Sequence, residues 1–485
     1  MNNLTLEALN LSVFTPMGVL LIGALLILCL DLIQKDLSVN FYTMITTIFL
    51  LVDLVAVLSS NSGDEAFFGL LKVDGVSIIA QSIVIVGALL FILLSIIPKK
   101  FNEFRFAEYF SLFLFSVVGF QFMVSSTNLI LILLGLEIAS LCIYILIAIH
   151  NTHKSIEAAI KFFTLGAISS SFFLLGIFVM YLLTSSIDLV EITARIQTSN
   201  HTLIILSLCC FLVSIGFKLS LVPFHRWVAD VYDGSSEIMA GYISIVPKIA
   251  GIVIAYRIFT PFLEMNIEWL YNILYFIIVS SMLLSNIMAM VQNDVKRMLG
   301  YSSIGHSAFI LAAILITNEQ TLHSIFLYWS MFMFTNMGIF TVLWVSRNKL
   351  KKWHKYHDQP HIKFSGLIYS NPFLAIVFSV FMFSLAGIPP FALFWGKFYL
   401  IGTVVNSGEI YLALTMAVSG IMAVFYSLRL IVYILLKEPV ELDGQIYITN
   451  VSWYNKFVMA MSAIVVFFSM SIIGGLLGYF YEILK

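Results

Sequence analysis

Residues 201–225 read HTLIILSLCCFLVSIGFKLSLVPFH, and this stretch indicates the fold more clearly than any other part of the chain. About 20 consecutive apolar residues are enough to cross about 30 Å of hydrocarbon as one α-helix. The stretch is long enough, but it contains Lys218 and ends near Pro223. Because proline removes a helical hydrogen bond and clashes with the preceding turn, the helix is predicted to break there. The sequence thus places a charge beside an interruption in a membrane-spanning helix.

The composition of the whole chain excludes a water-soluble domain. Of 485 residues, 61% are hydrophobic and 11% are charged, whereas a soluble domain is roughly 45–50% apolar and about 25% charged. A formal net charge of -1 offers no basic surface for nucleic acid. The four cysteines lie in apolar runs without a CxxC spacing, which argues against a disulfide framework, a zinc site and an iron–sulfur cluster. The chain is therefore predicted to be an all-α polytopic membrane protein.

The same length criterion, applied along the chain, predicts about 14 transmembrane helices. The N-terminus lacks the basic segment and cleavage site of a secretory signal, so the first apolar run is counted as a retained helix. Lysines and arginines concentrate in the connections on one side, which predicts that side as cytoplasmic and both termini as external. The predicted spans lie near residues 11–30, 41–59, 73–97, 107–124, 128–149, 155–183, 201–222, 237–258, 268–290, 299–317, 321–345, 373–402, 409–436 and 456–480.

The longest predicted cytoplasmic connection, residues 347–371, contains KKWHKYHDQPHIK. Its histidines His354, His357 and His361 could suggest a metal site, but their spacing among lysines fits no closed tetrahedral arrangement. A solvated basic loop that touches anionic headgroups or a partner subunit is the preferred interpretation.

Several ionisable residues fall inside the predicted spans, where each costs several kcal/mol unless it has a partner, water or a role. A single lysine could reach back to the interface from a helix end, but four lysines in separate spans favour a functional set. Lys218 is predicted to pair with Glu137, interpreted as the well-buried carboxylate of the central spans. The residues in question are Glu137, Lys161, Lys218, Lys248 and Lys397, with Asp53, His306 and Arg429 in or near spans.

Asp53 and His306 allow other interpretations. Asp53 lies in TIFLLVDLVAVL and has no matching lysine on a neighbouring predicted span, which favours a role in packing or in a partner interface. His306 lies in GYSSIGHSAF and, as a histidine, could relay protons near neutral pH. A hydrogen-bonded core histidine fits that position equally well.

A second predicted span carries Ala386-Gly387-Ile388-Pro389-Pro390 and is also expected to be interrupted. Each break has a lysine nearby, Lys218 before the first and Lys397 after the second. Interrupted helices at corresponding places in two halves mark the ion path of inverted-repeat transporters, and their freed backbone groups attract water. The alternative is a pair of proline kinks used only for packing.

Five stretches of this sequence together resemble the antiporter-like subunits of respiratory complex I, the proton-pumping NADH:quinone oxidoreductase, and among them the subunit N family. They are LLGLEIASL, SIEAAIKFF, GFKLSLVPFHRWVADVYDG, VKRMLGYSSIGH and SLAGIPPFALFWGKFYL. The resemblance implies two inverted repeats within the predicted spans. It divides the chain into three N-terminal helices (1–106), a first repeat (107–258), a second repeat (259–436) and a C-terminal transmembrane helix (437–485).

The resemblance also implies roles for individual residues in proton translocation. The family's glutamate on the fifth span and broken-helix lysine fall on Glu137 and Lys218, and its connecting and twelfth-span residues on Lys248 and Lys397. Supporting positions fall on Lys161, on His306 and on His225 in the PFHxW element. The chain departs from the family's prolines at Val228-Ala229-Asp230 and Ser235-Ser236-Glu237, and it places Pro247 directly before Lys248.

The function implied is proton movement from Lys218 to Lys248, then by water and His306 to Lys397, driven by electron transfer in partner subunits. FMN, iron–sulfur clusters and quinone are expected on those subunits, with no cofactor or metal on this chain, and enzyme activity belongs to the complex. The expected partners are other membrane-arm subunits and the lipid of a bacterial inner membrane. The alternatives are a subunit of a multi-subunit cation/proton antiporter, a stand-alone secondary transporter, and an assembly scaffold whose buried charges only pair with each other.

Overall fold

The computed structural model describes residues 9–34, 37–96, 104, 106–196, 201–317, 320–346, 359–439 and 452–485. Most of these residues are helical; the regular elements that are not helices are the two strands of one short antiparallel hairpin, β1 (Glu65–Ala66) and β2 (Leu71–Lys72). The long apolar runs account for the helices, because a backbone in hydrocarbon must satisfy its own hydrogen bonds. The all-α polytopic fold predicted from the sequence is confirmed.

The helices follow one another with short connections. In chain order they are α1 (Leu11–Ile33), α2 (Val39–Leu58), α3 (Gly75–Leu93), α4 (Ala107–Val124), α5 (Leu129–Ala148), α6 (His153–Thr184), α7 (Leu189–Arg195), α8 (His201–Leu219), α9 (Trp227–Gly234), α10 (Glu237–Glu264), α11 (Glu268–Val291), α12 (Val295–Ile316), α13 (Thr321–Val345), a 3₁₀ turn (His361–Phe364), α14 (Leu367–Ser370), α15 (Pro372–Ala386), α16 (Ala392–Asn406), α17 (Ile410–Leu435), α18 (Trp453–Phe467) and α19 (Ser469–Leu484).

Twelve helices in the described part of the chain are long and apolar enough to cross a membrane, or up to 13 if the bent pair α18 and α19 counts as one. The halves of the twelfth predicted span, α15 and α16, have 15 residues each and are too short to cross singly. The number 14 and the division into inverted repeats therefore stay predictions.

The core of the bundle lies around α10, whose central apolar window is 100% buried. Helices α12 and α13 pack against α10 and are almost as deeply buried, whereas only 39% of the corresponding window of α6 or α17 is covered. Helix α10 continues through Pro247 and Pro261 without a break. The most protected place in the molecule is thus where α10, α12 and α13 meet.

Both predicted helix interruptions are present. Helix α8 ends at Leu219, and a non-helical segment that includes Pro223 leads into the short α9. Helix α15 ends at Ala386 and is capped by Gly387, whose φ of 82° is a left-handed conformation that glycine adopts readily. Helix α16 starts five residues after Gly387. Each interruption leaves backbone carbonyls without helical partners in the middle of the bundle.

The C-terminal segment, predicted as a transmembrane helix, consists of α18 and α19 with a bend of 85° between them, and its crossing of the membrane as one span stays a prediction. The sequence has no proline at the bend. Instead, tertiary contacts hold it: Ser469 Oγ donates to Pro390 O at 3.3 Å, and the end of α19 lies against the start of α3. A Cβ on Gly75 would collide with Ile483 O, so this close approach requires glycine.

Candidate functional site

Three of the four lysines predicted inside spans are buried in the centre of the bundle. Lys218, Lys248 and Lys397 are 8%, 1% and 7% exposed. Their ammonium groups donate hydrogen bonds to protein oxygens rather than reaching a lipid interface. Snorkelling from helix ends does not describe these three side chains.

The ammonium group of Lys218, in the last turn of α8, donates to Ser140 Oγ on α5 at 2.5 Å. The predicted ion pair with Glu137 is not formed: within the described residues, no Glu137 oxygen lies within 4.0 Å of it, and Glu137 Oε1 is buried without a hydrogen bond. Glu137 and Ser140 are three residues apart on one helix, so both face Lys218. The lysine therefore has two alternative oxygen partners on α5, and in this structure it uses the neutral one.

Glu137 was also predicted to be the well-buried carboxylate of the central spans, and this was wrong. It is half-buried, whereas Asp53 and Glu237 are 0% exposed. Both oxygens of Asp53 accept hydrogen bonds from Gln121 Nε2, at 3.0 and 2.9 Å, which joins α2 to α4. This contact agrees with the packing role that the sequence suggested for Asp53.

Lys248 lies on α10 and donates to both Ser303 O and Ser303 Oγ on α12, at 2.8 and 2.9 Å. Tyr232 of α9 donates to the same hydroxyl at 3.2 Å. One turn further along α10, a Cβ on Gly251 would lie 3.7 Å from the Cβ of Lys218. Lys218 and Lys248 are therefore neighbours across the α8–α10 contact.

His306 lies one turn beyond Ser303 on α12, and its Nδ1 forms a hydrogen bond with the Tyr328 hydroxyl. A cavity of about 10 Å³ separates it from Lys397, with Asn286, Ser302, Ser419 and Tyr426 in the lining. A cavity of this size holds about one water when polar groups line it. His306 is thus hydrogen-bonded in the core and also lines the cavity that leads to Lys397.

Lys397 uses the second helix break directly. Its Nζ donates to Ala386 O at 3.1 Å and to Leu385 O at 3.4 Å, the carbonyls freed where α15 ends. The Phe309 ring lies 5.9 Å from the same nitrogen. The buried groups from Lys218 through Lys248, Ser303 and His306 to Lys397 form one row, called here the lysine row.

Lys161 and His225 lie away from the lysine row. The side chain of Lys161 is 42% exposed and pairs with Glu157 at 2.7 Å and with Asp230 at 2.9 Å. Arg297 also donates to Asp230, at 3.1 Å, which joins α6, α9 and α12 at one edge of the bundle. Burial raises the pKa of Asp230, but the hydrogen bonds from Lys161 and Arg297 prevail and hold it below its ordinary value.

His225 is half-buried in the segment between α8 and α9, and its Nδ1 is buried without a hydrogen-bond partner among the described residues. Arg429 donates to Met290 O and Gln292 O at the end of α11, at 3.0 and 3.2 Å. Arg429 thus supports the end of α11 rather than the lysine row.

The prediction that residues 347–371 form a solvated loop was wrong for residues 359–371, the part that the structure describes. Gln359, His361 and Lys363 are 0%, 3% and 2% exposed, because the chain returns beneath α10 and α12 through a bridge between Asp294 and Pro360. Burial, followed by the charge of Arg429, lowers the pKa of His361 to about 4. His354 and His357 lie outside the described residues, and within those residues no group of three His, Cys, Asp or Glu could hold a metal ion.

Sequence reasoning missed a buried charged cluster beside that returning segment. Glu237 and Lys296 are 0% exposed, at the first turns of α10 and α12. The signal was weak, because both residues stand at span ends next to a basic connection, where exposure is the ordinary expectation.

A match to a protein-family model identifies the class of membrane protein to which this chain belongs. Residues 126–423 match the family model described as NADH:quinone oxidoreductase/Mrp antiporter, TM. That region contains the whole lysine row and both helix breaks, so the fold and site are those of an antiporter-like membrane subunit.

Individual relatives identify the family within this class of antiporter-like membrane subunits. The chain is 46% identical to the NADH-quinone oxidoreductase subunit N of Campylobacter hominis, over 94% of both proteins. A chain of respiratory complex I from Thermus thermophilus superposes with a TM-score of 0.79 at 25% identity, over 95% of this chain and 99% of that one. A chain of the Mrp complex from Dietzia sp. superposes with a TM-score of 0.80 at 17% identity, over 98% of each, which shows the shared fold alone. This chain belongs to the NADH-quinone oxidoreductase subunit N family.

Proposed function

We propose that this chain is a proton-translocating membrane-arm subunit of NADH:quinone oxidoreductase, and that the lysine row carries the protons. The observation that supports this most is the burial of three ammonium groups in the bundle, each of which donates a hydrogen bond to a protein oxygen: Ser140 Oγ, Ser303 O and Ala386 O. Ionisable groups at this depth are costly to keep and line ion pathways in membrane proteins.

Lys218 can alternate between two oxygen partners on α5, the Ser140 hydroxyl and the Glu137 carboxylate, and this alternation acts as the switch of the lysine row. When Lys218 turns from Ser140 to Glu137, a carboxylate at about 4 Å stabilises the ammonium by about 4 kcal/mol at an effective dielectric constant near 20. When it returns to the neutral Ser140, that stabilisation is lost. Moving one charge against 100 mV costs about 2.3 kcal/mol, so the switch is large enough to drive release of the proton.

A released proton moves from the Lys218 ammonium to the neutral amine of Lys248, its neighbour across α10. From there the Ser303 hydroxyl, His306 and the small polar cavity lead to Lys397. Lys397 releases it on the far side through groups at the second helix break. Lys161 acts at the edge of the bundle, where its contact with Asp230 couples α6 to the short α9 that follows the first break.

The redox reaction belongs to partner subunits of the complex, which hold the FMN, the iron–sulfur clusters and the quinone, while this chain carries no cofactor. Its partners are the other membrane-arm subunits and the lipids of a bacterial cytoplasmic membrane. Both termini lie on the external side, in keeping with the lysines and arginines of the opposite connections. The repeats span residues 107–258 and 259–436, between N-terminal helices at 1–106 and a C-terminal segment at 437–485.

The test compares NADH-driven proton pumping with quinone reduction in membrane vesicles that contain the assembled complex. Lys218→Ala and Glu137→Ala are expected to abolish or strongly reduce pumping while the complex assembles. Lys72→Ala is the matched control, since that lysine is exposed and makes only a surface ion pair with Glu65 at 3.4 Å. Full pumping by well-assembled Lys218 and Glu137 variants contradicts the proposal and favours a scaffold role.

A further inference from the structure

A buried charged cluster lies at the N-terminal end of α10, outside the lysine row. Gln359 Nε2 donates to Glu237 Oε1 at 2.8 Å, and Lys363 Nζ donates to Gln359 Oε1 at 2.7 Å. Lys296 Nζ donates to Ser235 O at 2.8 Å. The backbone N–H of Gln359 also donates to Asp294 Oδ2, at 2.8 Å. The starts of α10 and α12 and the segment after α13 are thereby joined around one carboxylate.

This cluster shares a helix face with the lysine row. Glu237, Gly241, Ser244 and Lys248 succeed one another at intervals of four, three and four residues, which is one stripe of an α-helix. The stripe is about 16 Å long at 1.5 Å per residue. A buried carboxylate and a buried amine therefore stand on the same face of the central helix, three turns apart.

The part of the stripe nearer Lys248 is already linked by hydroxyl groups. Tyr232 lies beside Ser244 and donates a hydrogen bond to Ser303 Oγ, which also accepts one from Lys248. All of these side chains are buried. The hydroxyl groups of Tyr232 and Ser303 thus lead from the neighbourhood of Ser244 to the Lys248 nitrogen.

The part nearer Glu237 is closed by aromatic rings. A Cβ on Gly241 would come within 2.5 Å of Phe91 and within 2.9 Å of Phe340. These rings lie against Gly241, between Glu237 and Ser244. The gap is apolar and about 10 Å long, two helical turns, so a proton crosses it only when water enters.

We infer that Glu237 is the group through which the lysine row takes up protons, with Phe91 and Phe340 closing the route until water bridges it. The inference rests on the proposed function and adds the route by which protons enter the lysine row. The cluster lies where the lysine and arginine pattern predicts the cytoplasmic face. The protonated carboxyl group of Glu237 gives its proton through water, Ser244, Tyr232 and Ser303 to the neutral amine of Lys248. The resulting carboxylate takes a proton from the cytoplasmic side. Lys248 passes its proton to Lys218 while Lys218 is paired with Glu137, and it receives the proton back, for transfer towards Lys397, when Lys218 moves to Ser140.

The experiment uses the assembled complex in vesicles and the substitution Glu237→Gln, which keeps the shape and the hydrogen bond to Gln359 but cannot carry a proton. The initial rate of NADH-driven acidification is expected to fall by about tenfold or more at equal complex content. Glu237→Asp, which keeps the carboxyl group, is expected to stay within about twofold of the wild type. Infrared difference spectra are expected to lose one protonated-carboxyl band in Glu237→Gln.

Glu268→Gln is the matched control, because Glu268 is also the first residue of a spanning helix but is exposed. Lys248→Ala is measured in parallel. If Lys248→Ala loses pumping and Glu237→Gln does not, the uptake role is overturned while the lysine row stands. If neither variant loses pumping, the proposed function fails as well. Loss of assembled complex in both Glu237→Gln and Glu237→Asp also overturns the inference, since the cluster then serves only to hold the helices together.

Discussion

Ser140→Ala tests the switch at Lys218 with the removal of one oxygen atom. Its hydroxyl accepts the Lys218 ammonium at 2.5 Å in a buried place. A hydrogen bond to a charged group contributes about 1.5–3 kcal/mol, so its removal favours the alternative partner Glu137 by about ten- to a hundredfold, at 1.36 kcal/mol per factor of ten. Lys218 is then held with its proton, and pumping is expected to fall by a similar factor.

The assay is NADH-driven acidification in vesicles, normalised to assembled complex measured by native gel. Ser140→Thr keeps the hydroxyl and is expected to pump well above the alanine variant. Ser111→Ala is the control, because Ser111 is a buried serine of α4 whose hydroxyl has no hydrogen-bond partner among the described residues. Pumping by Ser140→Ala at the wild-type rate refutes the idea that Lys218 alternates between these two oxygens.

Three further outcomes are expected. Gly387→Ala places a side chain at φ 82° and within 2.9 Å of the Lys397 ammonium, so the pumping rate should fall. Gly402→Ala is the control, because a Cβ there meets open space. Equal pumping rates of the two variants argue against a role of the second helix break in proton transfer. Burial lowers the pKa of His361 from 6.5 to about 4. The stabilising contribution of the neutral imidazole is therefore complete above pH 6.5 and is lost as the pH falls towards 4, by at most about 1.4 kcal/mol per pH unit. The Tm of the purified complex should fall less steeply over that pH range in His361→Phe than in the wild type. Asp230→Asn removes a partly exposed ion-pair partner of Lys161, worth about 1 kcal/mol or less, so the complex should assemble normally and pump more slowly; an unchanged pumping rate contradicts a coupling role for that contact.

The lysines and the helix breaks could be found from the sequence because each is a local feature. A lysine in an apolar run is buried wherever the helix packs, and a proline interrupts its own helix. The partner of each lysine was harder to identify. Lys218 meets Ser140 instead of Glu137 because both lie on the same face of α5, and a difference of one turn decides which oxygen is nearer.

Lys161 and Glu237 show the same limit from opposite directions. Lys161 stands in an apolar run but lies near the start of α6, so it reaches Asp230 at the edge of the bundle. Glu237 stands at a helix end, where exposure is ordinary, but the segment that follows α13 returns and covers it. Neither outcome can be obtained from neighbours in the sequence, because the deciding contacts join residues more than 60 positions apart.

The sequence by itself determined that this chain crosses a membrane many times, that two of its helices are broken, and that lysines lie within it. These properties depend on the length of apolar runs, on proline and on the cost of charge in hydrocarbon, all of which act locally. Only the tertiary structure decided which lysines join one row, which carboxylate is enclosed at its predicted cytoplasmic end, and where the C-terminal segment bends. Those properties depend on how distant helices pack, since a hydrogen bond across the bundle exists only when two backbones fix its atoms within about 3 Å.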